Sequence, residues 1–288
     1  MPQKRLITFQ DYSCMGRCSL TVAIPTISAA GIECVGVPTT VLSNHTQFKS
    51  WKYTDLADQI LPSLDEWKDY NHHFDMIYTG YLATNQIPLI CKAIMRLKDS
   101  PEVKVVVDPA FADSGKLYPG FDYRQTEGMR VLMTYADIIC PNLTEACLLT
   151  GEAYPDDYDE LFIVRLAQKL AAQGPKIIII TGISYREGTV GCQIFDRLSH
   201  SSEYYETVSY EGSYHGTGDL FASAFCSGLL HGLSSKNAVK VAHDYVHRSI
   251  AETIKDGLDG LTYGVEFEKA IPFFVKELES ISRKTKEE

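Results

Sequence analysis

The chain has little positive charge for its length of 288 residues, with 27 Lys and Arg against 37 Asp and Glu and a formal net charge of -10. This balance does not attract a nucleic-acid backbone or an anionic lipid surface. The sequence also lacks an apolar run of membrane-spanning length, and Leu6–Phe9 before Asp11 is too short for a signal peptide. We therefore expect neither a nucleic acid nor a membrane as a partner.

Paired cysteine spacing and the common nucleotide-binding signatures are also missing. The eight cysteines are scattered, and the spacing of Cys14 and Cys18 suits neither zinc nor a disulfide. They predict reduced thiols in a cytoplasmic protein. No glycine is followed by the Gly-Lys-Ser/Thr of a Walker A loop, and Gly216-Thr217-Gly218 lacks the third glycine of the dinucleotide fingerprint.

Short β-rich runs alternate with amphipathic stretches along the first two thirds of the chain, which is typical of βαβ units. The predicted parallel strands are Leu6–Phe9, Ile32–Leu42, Asp75–Thr79, Val103–Val107, Ile138–Cys140 and Ile177–Ile180. The predicted helices between them are Ser19–Ala30, Leu56–Tyr70, Ile87–Leu97, Arg124–Tyr135, Thr144–Leu149 and Tyr158–Gln173. The pattern predicts an α/β fold, a single domain over residues 1–288, with a central, mostly parallel sheet flanked by helices.

The last third of the chain has a different pattern. Val190–Phe195 and Tyr204–Tyr210 predict two further strands that pair antiparallel, and three segments of helical period follow them. These predicted helices are Asp219–Leu230, Lys236–Ile254 and Val265–Leu278.

Polar side chains follow most of the predicted parallel strands. Because ligands of such sheets bind at the carboxyl ends of the strands, these residues are the candidates for a site. They are Asp11, Ser13, Asn44, Thr46, Tyr81, Asp108, Asp113, Asn142, Glu145 and Thr181.

The most specific candidate is Gly216-Thr217-Gly218-Asp219, which opens a predicted helix. Two glycines allow the backbone N–H groups to converge at the positive end of the helix dipole, and this geometry suits an anion. A carboxylate beside an anion site fits a base that touches the nucleophile in phosphoryl transfer. The alternative is that Asp219 is an ordinary acidic residue of a first helical turn.

Two further pairs fit a metal and a phosphate. Asn142 and Glu145 offer an amide oxygen and a carboxylate one turn apart, which suits Mg²⁺, or else they form a helix capping box. Asp108 and Asp113 flank a loop after a strand, where they serve catalysis or simple turn formation.

The motifs together resemble the ribokinase-like superfamily and, within it, the pyridoxal kinases. The matching segments run over nearly the whole chain: Leu42–Thr46, Trp51-Lys52, Thr79–Tyr81, Val107–Pro109 with Asp113, Pro141–Asn142 with Glu145-Ala146, Leu149–Gly151 and Gly216–Phe221. The resemblance implies a ribokinase-like three-layer fold and ATP-dependent phosphorylation of the 5'-hydroxymethyl group of a B6 vitamer. It also implies a homodimer.

Carried over by position, the resemblance implies a role for each candidate residue. ATP and its phosphates would contact Asp108, Asn142, Glu145, Thr181, Thr217 and Gly218. Magnesium would be held around Asp113, Asn142 and Glu145, and whether a monovalent cation such as K⁺ is needed stays open. The vitamer would contact Asp11, Ser13, Thr46 and Tyr81, with its hydroxymethyl oxygen facing Asp219, while Gly216, Thr217 and Gly218 hold the transferred phosphoryl group.

One segment departs from the pyridoxal kinase pattern. The loop Asp11–Gly16 is short and looks closer to that of hydroxymethylpyrimidine kinases, so either Asp11 or Ser13 meets the pyridine ring. Those pyrimidine kinases tend, however, to carry cysteine where this chain has Asp219. Two alternatives remain, a hydroxymethylpyrimidine kinase and a non-catalytic B6 carrier or sensor, and the carrier has no need for Asp219, Asn142 and Glu145.

Overall fold

The computed structural model describes residues 3–70 and 73–287, the last four of them by their backbone alone. The strands are β1 (Arg5–Ser13), β2 (Glu33–Leu42), β3 (Tyr53–Asp55), β4 (Met76–Thr79), β5 (Lys104–Val107), β6 (Ala112–Asp113), β7 (Lys116–Leu117), β8 (Ile138–Ile139), β9 (Ile177–Ile183), β10 (Thr189–Asp196) and β11 (Ser201–Val208). The helices are α1 (Leu20–Ala29), α2 (Ala57–Glu66), α3 (Ile87–Leu97), α4 (Tyr123–Met133), α5 (Leu143–Thr150), α6 (Glu160–Ala171), α7 (Thr217–Leu230), α8 (Ser235–Lys255), α9 (Gly260–Tyr263) and α10 (Phe267–Glu287).

Nine of the strands form one sheet in the order β11-β10-β9-β8-β5-β4-β1-β2-β3. The pairs β1–β2, β5–β8 and β8–β9 are parallel, whereas β3, β10 and β11 pair antiparallel at the two edges. The α/β fold with a mostly parallel central sheet flanked by helices is therefore confirmed. The antiparallel pairing of β10 and β11 is confirmed as well.

The chain divides into two compact units, each described here by itself. The first unit comprises Met1–Leu56, His73–Met76 and Tyr210–Glu288, and the second comprises Ala57–His72 and Ile77–Ser209. A single domain over residues 1–288 stays a prediction.

In the first unit, β1 is buried on both faces from Leu6 to Asp11, as expected for a strand covered by helices. Its register with β2 shifts between Gln10 and Tyr12, so the strand is irregular at Asp11. Beyond this bulge Asp11 and Ser13 are buried while Tyr12 is exposed. Helix α7 is almost entirely apolar and is buried from Leu220 to Gly228, which anchors the turn that precedes it.

In the second unit, the inner strands are continuous runs of buried Val and Ile. Because these strands are buried on both faces, polar side chains are confined to the positions after each strand end. This explains why Asp108 and Asn142 lie just after the ends of β5 and β8; Thr181 lies within β9, after its run of buried isoleucines.

Three strands and one helix had no counterpart in the sequence analysis. Strand β3 has three exposed residues, β6 and β7 form a two-residue hairpin, and α9 is a single turn. None is long enough to show a hydrophobic period. In the part of the chain that the structure describes, no helix has the length and apolar content needed to cross a membrane.

Candidate active site

The turn before α7 requires a glycine at position 216. This residue has a left-handed φ of 76°, and an added Cβ would lie 2.1 Å from the carbonyl oxygen of Arg17. The N–H groups of Thr217, Gly218 and Asp219 belong to the first helical turn and therefore have no partner inside the helix. The Thr217 hydroxyl donates to the carbonyl oxygen of Tyr214 at 3.1 Å, which fixes the side chain. The geometry is that of an anion site.

We expect Gly216→Ala to destabilise the protein more than Gly232→Ala does. Both glycines have a left-handed φ, but nothing lies within 4 Å of the Cβ that would be added at Gly232. The control variant therefore loses about 1–2 kcal/mol from the backbone conformation alone. Gly216→Ala adds a backbone clash worth about 1–3 kcal/mol more. Urea unfolding of the two variants measures the difference in their free energies of unfolding. Equal losses in the two variants would show that the Arg17 carbonyl group shifts at no cost.

Asp219 lies beside this turn, is half-buried, and is close enough to the buried carboxylate of Asp11 to be influenced by its charge. Its Oδ2 accepts a hydrogen bond from the Ser19 N–H at 2.8 Å. Burial, together with a smaller contribution from the negative charge of Asp11 and against the hydrogen bond from Ser19, raises the pKa of Asp219 to about 7. The carboxylate can therefore take up a proton near neutral pH, as a general base must.

Asp11 is held near the end of β1 by a hydroxyl group. The Ser13 hydroxyl donates to its Oδ2 at 2.8 Å, and burial raises its pKa. The structure thus brings Asp11, Ser13 and Asp219 together in the first unit, as the sequence analysis expected. Thr46, in contrast, is exposed in the loop that follows β2.

Two histidines stack next to the turn. The rings of His45 and His215 are 4.0 Å apart and nearly parallel. Burial, assisted by the neighbouring ring, lowers the pKa of His215 to about 4. His45 packs against Gly16, where a Cβ would come within 2.1 Å of its ring. At neutral pH both imidazoles of the pair are therefore uncharged.

In the second unit, Asn142 and Glu145 form a complete capping box at the start of α5. Glu145 is fully buried, and its carboxylate accepts N–H bonds from Phe111 at 2.8 Å, Ala112 at 3.3 Å and Asn142 at 3.0 Å. The Asn142 amide donates to the carbonyl oxygen of Ala112 at 2.7 Å. The capping box, one of the two alternatives, is therefore present, and the pair also holds the loop after β5. The magnesium alternative stays a prediction.

The other predicted nucleotide and metal residues of this unit lie around that cap. Asp108 is buried directly after β5, and Thr181 donates its N–H to the carbonyl oxygen of Pro141 at 2.9 Å. Asp113 is exposed and accepts from the Ser114 N–H at 2.7 Å. Burial, with a smaller contribution from the charge of Asp113, raises the pKa of Glu145 to about 7. Asp113, Asn142 and Glu145 therefore share one neighbourhood, although no cluster of three metal-binding side chains occurs among the described residues.

Tyr81 lies after β4, and its ring stacks on Phe121 at 5.5 Å. It is half-buried, so part of the ring is accessible. Its predicted contact with a substrate ring stays a prediction.

Sequence reasoning missed Ser19. A serine directly before a helix suggests an N-cap, but here the side chain makes no cap hydrogen bond. Its backbone instead has a positive φ of 48°, and its N–H donates to Oδ2 of Asp219. Nothing in the local sequence distinguishes this serine from an ordinary cap.

Comparisons with known proteins identify the family of the chain. The phosphomethylpyrimidine kinase family matches residues 20–262. A pyridoxal kinase of Dictyostelium discoideum is 27% identical over 235 residues, covering 77% of this chain and 76% of the relative. A crystal structure, with pyridoxal, of a Bacteroides thetaiotaomicron protein assigned to the phosphomethylpyrimidine kinases has a TM-score of 0.89 and 33% identity, covering 94% of this chain and 96% of that one. The pyridoxal kinase of Lactobacillus plantarum has a TM-score of 0.86 and 28% identity, covering 95% and 97%. The resemblance drawn from the motifs is confirmed.

Proposed function

We propose, from the premise that this chain belongs to the phosphomethylpyrimidine kinase family, that it is an ATP-dependent pyridoxal kinase. It phosphorylates the 5'-hydroxymethyl group of pyridoxal, pyridoxine or pyridoxamine. The relatives named pyridoxal kinase and the relative crystallised with pyridoxal support this substrate class over a sugar.

The observation that carries the proposal is the carboxylate of Asp219 beside the N–H groups of the Gly216–Gly218 turn. A protein that only carried a vitamer would have no need for a half-buried base next to an anion site. A kinase needs both, because the alcohol loses a proton while charge develops on the transferred phosphoryl oxygens.

In the proposed reaction Asp219 orients the hydroxymethyl group and accepts its proton as the new O–P bond forms and the bond to ADP breaks. The N–H groups of Thr217 and Gly218 stabilise the charge on the transferred group, and they are already aligned before the reaction. Asp11 and Ser13 hold polar atoms of the vitamer ring, and Thr46 and Tyr81 complete the predicted set of ring contacts.

Asp108, Asn142, Glu145 and Thr181 are proposed to serve the nucleotide. The donor set around α5 fits Mg²⁺ held partly through water, because Asp113 is exposed while the Glu145 oxygens already accept three N–H bonds. Bound Mg²⁺ would neutralise the phosphate charge of ATP. Asp113 and Asn142 would face the ion and its waters, and Glu145 would hold the loop that carries Asp113.

The remaining features of the family resemblance are proposed with it. They are a homodimer, a cytoplasmic location, the use of a monovalent cation such as K⁺, and the absence of nucleic-acid and membrane partners. The reduced state of all eight cysteines and the net charge of -10 support the location and the missing partners.

A hydroxymethylpyrimidine kinase is the second candidate, favoured by the short Asp11–Gly16 loop. We expect at least one B6 vitamer to be phosphorylated faster than hydroxymethylpyrimidine or any sugar when all are supplied at the same low concentration. ATP consumption measured on the purified chain with each compound tests this. Faster turnover of the pyrimidine would replace the first proposal with the second.

A further inference from the structure

The β6–β7 hairpin of the second unit turns within two residues and carries Asp113 at its tip. Asp113 pairs with Lys116 across the hairpin, and between them Ser114 and Gly115 have positive φ angles of 51° and 76°. Two consecutive residues of positive φ are typical of a type I′ turn, which prefers glycine or asparagine. Serine adopts this conformation at a cost, so other parts of the structure must hold the turn in place.

The hydroxyl group of Thr144 provides such a contact from the first turn of α5. The Gly115 N–H donates to Thr144 Oγ1 at 2.9 Å, and Thr144 itself is buried. A two-residue turn satisfies only the N–H of the residue that follows it, so the Gly115 N–H needs an acceptor from outside the turn. The Tyr154 ring also lies against the turn, since a Cβ added at Gly115 would be 3.2 Å from its Cδ1. The tip of the hairpin is therefore held by α5 and by the segment that follows α5.

Asp113 is thus held on both sides along the chain. On the side of Ala112, the capping box of α5 contacts both the N–H and the carbonyl oxygen of this residue. On the other side, the contact comes from Thr144. Oδ1 of Asp113 accepts a hydrogen bond from the Ser114 N–H at 2.7 Å, so the orientation of the carboxylate depends on the turn that Thr144 holds.

We infer that Thr144 is a positioning residue whose hydroxyl holds the hairpin turn and thereby keeps Asp113 placed for Mg²⁺ and the phosphates of ATP. The placement of Asp113 toward Mg²⁺ rests on the proposed function, whereas the bond to Gly115 concerns the protein without ligand. Gly115 is exposed, so water can replace a lost acceptor and the cost to folding is small. The hydroxyl therefore affects the order of the turn more than the stability of the unit.

Amide hydrogen exchange, followed by NMR on the full chain without ligands, tests the bond itself. In Thr144→Val a methyl group replaces the hydroxyl at nearly unchanged size, so the Gly115 N–H loses its acceptor. We expect this N–H to exchange about 2- to 12-fold faster, the factor that corresponds to one hydrogen bond. Thr144→Ser keeps the hydroxyl and should preserve the wild-type exchange rate. Thr144→Ala gives the same comparison if the valine variant does not fold.

Thr150→Val is the matched control, because it removes a hydroxyl from the same helix. The Thr150 hydroxyl donates to two carbonyl oxygens inside α5, so its loss should leave the exchange of Gly115 unchanged. The amide of Ile179, in the buried strand β9, reports general destabilisation and should exchange at the wild-type rate in every variant. Unchanged exchange of Gly115 in Thr144→Val, or equally faster exchange of Ile179, would overturn the inference.

Kinetics then test the role of the turn in catalysis. The Mg²⁺ concentration for half-maximal rate should rise by about 2- to 10-fold in Thr144→Val, because fewer molecules hold Asp113 in the competent position. The vitamer KM should stay at its wild-type value, and Thr144→Ser should restore the wild-type Mg²⁺ dependence. A merely structural role predicts a lower urea midpoint with an unchanged Mg²⁺ dependence, and this result would overturn the positioning role.

The two halves of the experiment also separate this inference from the proposed function. If no vitamer is phosphorylated at any Mg²⁺ concentration, the proposed function fails. The exchange rate of Gly115 still decides whether Thr144 holds the turn.

Discussion

Asp219→Asn is expected to lower kcat by about 10²- to 10⁴-fold, the usual contribution of a general base. Asparagine keeps the size and hydrogen-bonding capacity of the side chain but cannot accept the proton. KM for the vitamer and for ATP should change far less than kcat, because the lost interaction matters mainly in the transition state. Steady-state kinetics on the purified variant measure both constants.

The pH profile separates a base from a passive acidic residue. The pKa of Asp219 is raised to about 7, so the wild-type kcat should fall about tenfold per pH unit well below that value and level off above it. This acid limb should disappear in Asp219→Asn. The exposed Asp256→Asn variant is the matched control and should keep the wild-type profile. A kcat within about threefold of wild type would show that Asp219 is an ordinary first-turn residue.

Glu145→Ala is expected to destabilise the protein by about 3 kcal/mol or more, because three buried N–H donors lose their acceptor at about 1–3 kcal/mol each before relaxation. Activity should fall with stability, since the 111–113 loop carries Asp113, and the Mg²⁺ concentration for half-maximal rate should rise. Urea unfolding and a Mg²⁺ titration of the rate measure the two effects.

The control for this second variant is Glu127→Ala, which removes an exposed carboxylate paired with Arg130 in the same unit. It should unfold at the wild-type urea concentration, because exposed ion pairs contribute little. Glu145→Gln keeps one acceptor oxygen, so its free energy of unfolding should lie between those of Glu145→Ala and Glu127→Ala. Wild-type stability of Glu145→Ala would mean that water replaces the carboxylate and that the loop does not depend on it.

The elements with a clear hydrophobic period were predictable from the sequence. Helix α3 has the predicted bounds Ile87–Leu97, and the strand of buried residues at Val103–Val107 differs by one residue. The capping box of Asn142 and Glu145 was predicted as one of two alternatives, since its spacing is local.

The long-range contacts were not predictable. The bonds from Phe111 and Ala112 to Glu145 join residues 34 and 33 positions apart, and the bond from Ser19 to Asp219 joins residues 200 apart. No local period encodes such pairs. The exposed strand β3 was missed for a related reason, because its pairing with β2 alone makes it a strand.

The most direct test of the account is a single reaction that holds the purified chain, ATP, Mg²⁺, and equal amounts of pyridoxal and hydroxymethylpyrimidine. ADP and both phosphate esters are then quantified in the same sample, with Asp219→Asn as the inactive reference. The account predicts one pyridoxal 5'-phosphate per ADP formed, little pyrimidine ester, and neither product above background with the variant. ADP without ester, or the pyrimidine ester as the main product, would contradict it.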